Sequence, residues 1–417
     1  MKMMYNSVKK LHLCAKKCNK ITLMWYTIKE GDIMLKNIKI DNFTTFVKPT
    51  TIDFSATNYK FLEENVSASK ILKSTLFVGE NASGKTQVLK AISLLLDLLF
   101  ENNDINFLVY KSFYNNKPSF KLSYDFDIEN NDIFYEIELG IDKIINEKLI
   151  VNNETIISRM GKNADFIYQN ETRHFDDLNE KLLFIRRIYF DTKFYDNDIL
   201  IKWFDFLKNS ISVNCYNRII RSYNNSKLLN HEYLDENGTK TINDFFEKIN
   251  YNQKIKFDTS TDNKEVAFNM KSNDNSKFVS FMKDDTNVYI PEQFESTGNL
   301  TLIQLLPLIL HAINNDCLLI VDEFSSGFHN ELEECLIKYF QHYSKKSQMI
   351  FTSHSTNLLN NTIIRPDQIY SVSFKGTNGS IVKRFSEEKP REAQNTEKMY
   401  LNGVFDGMPR YNKTFKD

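Results

Sequence analysis

The sequence predicts an α/β protein. A mixed sheet carries a glycine-bearing loop, an antiparallel β meander lies beside it, and a mainly helical insertion follows the meander. Three observations predict this. Thr75-Leu76-Phe77-Val78 is a short apolar run leading into Gly79-Glu80-Asn81-Ala82-Ser83-Gly84-Lys85-Thr86-Gln87, after which Val88, Ile92, Leu95 and Leu99 recur at helical spacing. Leu318-Leu319-Ile320-Val321 is a second apolar run, and it ends in Asp322-Glu323. From Phe120 to Phe126 and from Tyr135 to Leu139 apolar and polar residues alternate, as in strands with one buried face.

Composition bounds the rest. A chain of 417 residues suggests about two to three domains or lobes. Hydrophobic residues make up 41%, ample for a core. With 53 basic and 54 acidic residues the formal net charge is -1, so a nucleic-acid partner gains no support from global charge. The five cysteines are scattered. Cys317 and Cys335 sit in apolar patterns and read as buried thiols, while Cys14 and Cys18 lack a second ligand pair for zinc. No apolar run reaches the length of a membrane span, so a reducing cytoplasm without a membrane partner is expected.

Taken in order, residues 1–33 form a basic extension with Lys9, Lys10, Lys16, Lys17 and Lys20 and no acid before Glu30. Its apolar centre is too short for a signal peptide. The expectation is that the natural start is Met34, with Lys29-Glu30-Gly31-Asp32 a translated ribosome-binding site; the alternative is a basic, partly ordered arm. Residues 34–160 form the first lobe. Ile38 and Ile40, then Ile52 and Phe54, alternate with polar residues and predict a strand pair. The loop-bearing strand and its helix reach about Phe100, and the meander follows through Lys148 to Asn152. Residues 161–288 are the insertion, with helical patterns over Ile199–Ile211 and Ile242–Ile249 and no sustained heptads. Residues 289–417 form the second lobe. An apolar helix spans about Leu300–Ala312, with Pro307 expected to kink it. Buried strands are expected at Cys317–Val321 and Met349–Thr352, and a hairpin at 368–374 and 380–385.

The motifs carry the chemistry. Glycine, four free positions and then Gly84-Lys85-Thr86, set between strand and helix, make a nest of backbone N–H groups at a helix N-terminus. Lys85 would neutralise the β- and γ-phosphates of ATP, and the Thr86 hydroxyl would ligate Mg²⁺. A chance match is disfavoured because strand and helix are both in place. Asp322, at the carboxyl end of its strand, would hold the same metal, and Glu323 would be the general base for the attacking water. Read alone, a strand ending in two solvated acids would do nothing; the pairing with the phosphate loop argues otherwise. His354, in Ser353-His354-Ser355 after another strand, would sense the γ-phosphate. Ser296 and Gly298, in Glu295-Ser296-Thr297-Gly298-Asn299, precede the apolar helix and would leave amides free for an anion, although a simple N-cap reads the same way.

Together these pieces resemble an ABC-type ATPase head of the branch containing RecF, the SMC-like repair proteins and OLD-family ATPases. Ile38-Lys39-Ile40-Asp41-Asn42-Phe43 resembles the opening of that branch. Glu295-Ser296-Thr297-Gly298, and the closing stretch from Glu397 to Phe405 with Met408-Pro409, resemble the abortive-infection and phage-defence subgroup of the AbiL, RloA and AriA kind. The resemblance covers most of Met34 to Pro409 and is weakest across the insertion.

The resemblance implies a homodimer with two shared ATP sites, in which Ser296 and Gly298 of one protomer contact the γ-phosphate held by the other. It also implies that Ser326-Gly327-Phe328-His329 lies at the seam as the D-loop, and it leaves room for a higher oligomer. Departures from the transporter signature (Glu295, Thr297 and Asn299 for Leu, Gly and Gln) disfavour a transport engine. Asn330 stands where Pro often follows the D-loop. The Q-loop glutamine has no clear counterpart, with Phe190-Asp191 as a candidate site; Phe43 and Phe46 are candidates for the adenine contact. No acidic cluster of the TOPRIM kind follows, so an effector would be a separate polypeptide.

Three functions compete. The first is a defence ATPase that senses a phage protein and controls a separate nuclease or toxin. The second is a DNA-repair or DNA-clamping ATPase, for which Arg186-Arg187, Arg218 and Arg221 are the candidate basic residues. The third is a nucleotide-bound scaffold without hydrolysis, which Glu323 argues against.

Overall fold

The computed structural model describes residues 31–408 apart from 102–104, 169–170, 196, 225–227, 229, 265, 267–268, 284–285, 326 and 328. The expected Met34 start and the basic arm concern the first thirty residues, which lie outside the described ones. Gly31 to Ile33 are described: Asp32 accepts from the Ser69 N–H at 2.6 Å, and Ile33 begins the first strand.

In chain order, β1 (Ile33–Asp41) and β2 (Thr50–Asp53) form the expected antiparallel pair. β3 (Ser74–Gly79) and α1 (Lys85–Phe100) flank the glycine loop. A long meander follows: β4 (Phe120–Ile128), β5 (Asn131–Leu139), β6 (Ile144–Val151), β7 (Glu154–Met160), β8 (Asn163–Tyr168) and β9 (Glu171–Phe175). These join β1 and β2 in one antiparallel sheet of order β2-β1-β4-β5-β6-β7-β8-β9.

The stretch 161–288, expected to be mainly helical, is mixed. It holds α2 (Phe184–Thr192), α3 (Asp198–Lys208), α4 (Asn230–Asn237) and α5 (Lys240–Lys248). It also holds β8, β9, β10 (Ile211–Asn214), β11 (Ile219–Ser222), β12 (Gln253–Asp258) and β13 (Phe278–Lys283). The strands escaped the sequence pattern for a physical reason. β10 and β11 are too short to show a period, and β9 is exposed on nearly every residue, so no alternation marks it. Ile211, read as the end of a helix, instead begins β10.

The second lobe holds the expected helix, two buried strands and hairpin as α6 (Thr297–Asn314), β15 (Leu318–Asp322), β16 (Gln348–Thr352), β17 (Ile369–Phe374) and β18 (Ser380–Arg384), and adds β14 (Tyr289–Pro291), α7 (Asn330–Tyr343) and α8 (Thr396–Leu401), for which the sequence reading made no assignment. α6 continues helical through Pro307. The main sheet runs β11-β10-β15-β16-β3-β17-β18, with β10, β15, β16, β3 and β17 parallel and the two edge strands antiparallel. β12, β13 and β14 form a separate antiparallel sheet.

Both faces of the main sheet are covered, which is why its strands are continuously apolar. Leu318 and Ile320 pack with α1 and the meander, whereas Leu319 and Val321 pack with α6 and α7. α1 therefore lies between the two large sheets, and its buried residues surround most of its circumference. Polar pins lock the layers. Tyr124 donates to the Ala91 carbonyl of α1 at 2.6 Å. Gln348 bonds both the N–H and the carbonyl of Leu35 at 3.1 Å, tying β16 to β1. Glu147, fully buried, accepts from the Phe184 and Ile185 amides that open α2 (2.6 and 2.9 Å) and pairs with the equally buried Arg159 at 3.4 Å. Among the described residues no helix is long and apolar enough to cross a membrane.

Candidate functional site

The parallel strands deliver their carboxyl ends to one place. β3 ends at Gly79, and the chain turns through residues 80–84 into α1. Gly84 caps α1 at φ 109, and a Cβ there would lie 2.3 Å from Ser380 Oγ and 2.7 Å from Thr45 Oγ1. A Cβ on Gly79 would lie 2.2 Å from the Val372 carbonyl oxygen. Both positions thus demand glycine for space as well as for backbone angle. Ala82 is also left-handed, at φ 61. Gly79, Ala82 and Gly84 thus turn the chain tightly between β3 and α1, the backbone an amide nest requires.

Lys85 folds back over the loop, its Nζ donating to the carbonyls of Gly79 (3.0 Å) and Glu80 (2.9 Å). Burial pushes its ammonium pKa down, against the pull of Glu323, Asp322 and Glu80. Among the described residues, the buried Ser83 Oγ and Gln87 Oε1 find no hydrogen-bond partner. Polar groups held in this way beside an amide nest fit a phosphate-bearing ligand and its hydration.

Asp322 is the hub of the opposite wall. Its Oδ1 accepts from Thr86 Oγ1 at 3.0 Å and from Thr352 Oγ1 at 2.8 Å; its Oδ2 accepts from Asn214 Nδ2 at 2.9 Å. The register explains the meeting, because Asn214 on β10 lies beside Asp322 on β15 and Thr352 ends β16 next door. A hydroxyl and a carboxylate at this spacing suit a hard divalent cation that keeps waters and phosphate oxygens as its other ligands. Among the described residues no group of three or more His, Cys, Asp or Glu forms a closed metal cage.

Glu323 takes a left-handed backbone, φ 58, and its N–H donates to Thr352 Oγ1 at 2.9 Å. Its carboxylate lies 3.4 Å from His354 Nε2. That contact with His354, then Lys85, holds its pKa below the ordinary glutamate value although burial opposes it. The His354 N–H donates to Ser325 Oγ at 3.3 Å. Asn81, Ala82, Thr86, Asp322, Glu323 and His354 all line one cleft of about 730 Å³.

Ser296 and Gly298 do not line this cleft. Ser296 is exposed and caps α6, its Oγ accepting from the Asn299 N–H at 3.2 Å. A Cβ on Gly298 would lie 2.4 Å from the Gly327 carbonyl oxygen, so the turn at α6 and the expected D-loop touch within one chain. Ser326 and Phe328 of that loop lie outside the described residues; His329 caps α7.

Two sequence candidates fail. Phe43 and Phe46 are fully buried, and Phe43 stacks on Tyr110 at 5.7 Å, so neither offers a face to adenine. Phe190 and Asp191 lie on α2, where Asp191 pairs with Arg187 at 3.5 Å, and neither lines the cleft. Asn214, which the sequence reading did not single out, lies beside Asp322. It and Thr352 were missed because a lone Asn or Thr at a strand end carries no local signature.

Comparison with known proteins decides the family. The model of the family described as "AAA domain, putative AbiEii toxin, Type IV TA system" matches residues 74–360. The chain belongs to that family. The match spans the loop, Asp322, Glu323 and His354, and this AAA-domain chain is an ATPase. The resemblance to abortive-infection ATPases holds at the level of the family, and the α/β head with mixed sheet and meander is the fold found. No curated protein matches. Solved structures similar to this AAA-domain chain include the SMC head domain from Thermotoga maritima, at 14% identity and TM-score 0.45, covering 84% of this chain and 98% of that one. Another is the SmcHead bound to the C-winged helix domain of ScpA, at 13% identity and TM-score 0.49, covering 85% and 99%. A third is the Smc head domain with an extended coiled coil bound to the C-terminal domain of ScpA derived from Pyrococcus furiosus, at 11% and 0.48, covering 86% and 98%.

Proposed function

We propose that this ATPase is a nucleotide-driven switch in bacterial anti-phage defence that controls a separate effector, a nuclease or toxin, in response to a phage protein. The observation that carries the ATPase site is the convergence of Thr86, Asp322, Glu323 and His354 on the amide nest of Gly79 to Gln87. The family's description, which names a toxin and a toxin–antitoxin system, supports the defence setting.

The amides of residues 80–86 and Lys85 bind and orient the triphosphate. Thr86 and Asp322 would hold Mg²⁺, which would supply charge neutralisation to the bound triphosphate. Glu323, kept anionic beside His354, accepts a proton from water as the water oxygen bonds to the γ-phosphorus. The bond from that phosphorus to the bridging oxygen breaks, and ADP and phosphate result. Asn214 and Thr352 hold the Asp322 carboxylate in place. Ser296 and Gly298 serve the γ-phosphate of a second copy, so the active form is a homodimer.

The DNA-clamping alternative has little to stand on. Arg186 donates to the carbonyls of Leu98 and Glu101 at the end of α1, and Arg221 pairs with Asp97 at 3.0 Å. The deciding experiment is phage challenge of cells carrying the gene with its neighbours, wild type against Lys85→Ala, together with identification of the protein that co-purifies with the tagged chain. Equal plaque numbers from both strains, with no nuclease or toxin co-purifying, would remove the defence reading.

A further inference from the structure

Asn299 departs from the glutamine of the transporter-type signature, and its side chain is turned away from the nucleotide cleft. It is 5% exposed, and each of its side-chain polar atoms is engaged. Oδ1 accepts from Tyr251 Oη at 2.5 Å; Nδ2 donates to Gln253 Oε1 at 2.8 Å and to Glu295 Oε2 at 2.7 Å. One amide therefore joins two segments, residues 251–253 and the turn at 295–299. Gln253 opens β12, which pairs with β13, which pairs with β14, and β14 runs through Glu292–Phe294 into Glu295 and Ser296. The turn that bears Ser296 and Gly298 is thus tied to the small sheet twice, once by the chain and once by Asn299.

We propose that Asn299 is the positioning residue of this turn, setting Ser296 and Gly298 for the terminal phosphoryl group through its bonds to Tyr251 and Gln253 of the small-sheet segment. The inference rests on the proposed role of Ser296 toward a second copy's γ-phosphate. Two physical consequences support it. The Asn299 amide fixes the Glu295 carboxylate, which also accepts from the Ser296 N–H at 3.3 Å, so loss of Asn299 would free a negative charge at the start of α6, where an anion is to bind. A buried amide with all its partners satisfied allows one arrangement, whereas loss of any partner leaves a polar group stranded and the turn free to shift.

The test compares full-length Tyr251→Phe, Asn299→Ala and Ser296→Arg with wild type, reading kcat, KM, affinity for a fluorescent ATP analogue and thermal melting. Tyr251→Phe and Asn299→Ala should lower kcat by about tenfold, the scale expected when a positioning group shifts by a fraction of an ångström. Affinity for the analogue should stay within about twofold, since the residues that hold it in the same chain are untouched. Asn299→Asp alone sets two carboxylates together and should behave like Asn299→Ala. Asn299→Asp combined with Glu295→Gln exchanges amide and carboxylate and should recover most of the turnover. Wild-type kcat in Tyr251→Phe and Asn299→Ala, with Ser296→Arg inactive, would overturn the inference while leaving the shared-site reading standing. Wild-type kcat in Ser296→Arg would overturn the shared-site reading itself. Tyr251→Phe removes a single oxygen, so it decides the matter if Asn299→Ala fails to fold.

Discussion

The Glu323 carboxylate lies 3.4 Å from His354 Nε2, although the two residues follow different strands and each is partly open to solvent. The pair is built by strand adjacency. β15 and β16 run parallel, and the Glu323 N–H is fixed to Thr352 Oγ1 two residues before His354. A base poised in this way is anionic at neutral pH and ready to take a proton.

Glu323→Gln keeps the shape and removes the proton acceptor. Turnover should fall by roughly 10²-fold or more, the usual contribution of a positioned general base, while ATP binding persists. Steady-state phosphate release and equilibrium binding on the same preparation check this. Unchanged turnover would remove Glu323 from the role of base.

Lys85→Ala removes the buried ammonium that closes the loop onto the Gly79 and Glu80 carbonyls. ATP binding should become undetectable by calorimetry at concentrations where wild type saturates. Wild-type affinity in this variant would refute the phosphate-loop role.

Gly298→Ala drives a Cβ to within 2.4 Å of the Gly327 carbonyl oxygen. Backbone meets backbone here, so no side chain can swing aside. The variant should bind ATP normally and hydrolyse it slowly, with destabilisation of roughly 1–3 kcal/mol as for overpacking elsewhere. Kinetics beside a urea melt would separate the two effects.

Glu147→Ala leaves the buried Arg159 guanidinium without its counter-charge and takes the acceptor from two amides at the start of α2. Breaking such a pair from one side costs about 3–5 kcal/mol. The urea midpoint should drop accordingly, and the first turn of α2 should lose amide protection in hydrogen exchange.

His231 Nε2 lies 2.8 Å from Glu292 Oε1, and the hydrogen bond to Glu292 raises its pKa above 6.5 despite partial burial. A raised histidine pKa stabilises the fold fully below the unfolded value, and that stability is lost as pH rises through the folded value. Wild type should therefore lose a small increment of stability on going from about pH 6 to pH 8. His231→Gln should lack that increment, as melting temperatures across the range would show. Identical pH profiles would mean that the pair contributes nothing.

Much of the site was legible because its signals are local. Gly79 to Thr86 is a contiguous loop whose backbone angles only glycine tolerates at two positions. The runs ending at Asp322 and before His354 are continuously apolar because both faces of their sheet are covered. The meander announced itself by alternation through β6; the sequence reading did not extend it to β7, β8 and β9, the last of which is exposed on nearly every residue.

Sequence by itself determined the glycine loop between strand and helix, the acid pair at a strand end, the principal buried strands, and so the class of reaction. Tertiary structure alone decided that Asn214 and Thr352 would hold Asp322, that Phe43 would enter the core instead of facing a base, and that Asn299 would bind Tyr251 and Gln253. The reason is the range of the forces involved. Backbone angles and hydrophobic periodicity act over a few residues and leave a pattern in the chain. A hydrogen bond between residues a hundred positions apart depends on which strands become neighbours, and that is settled only when the sheets pack.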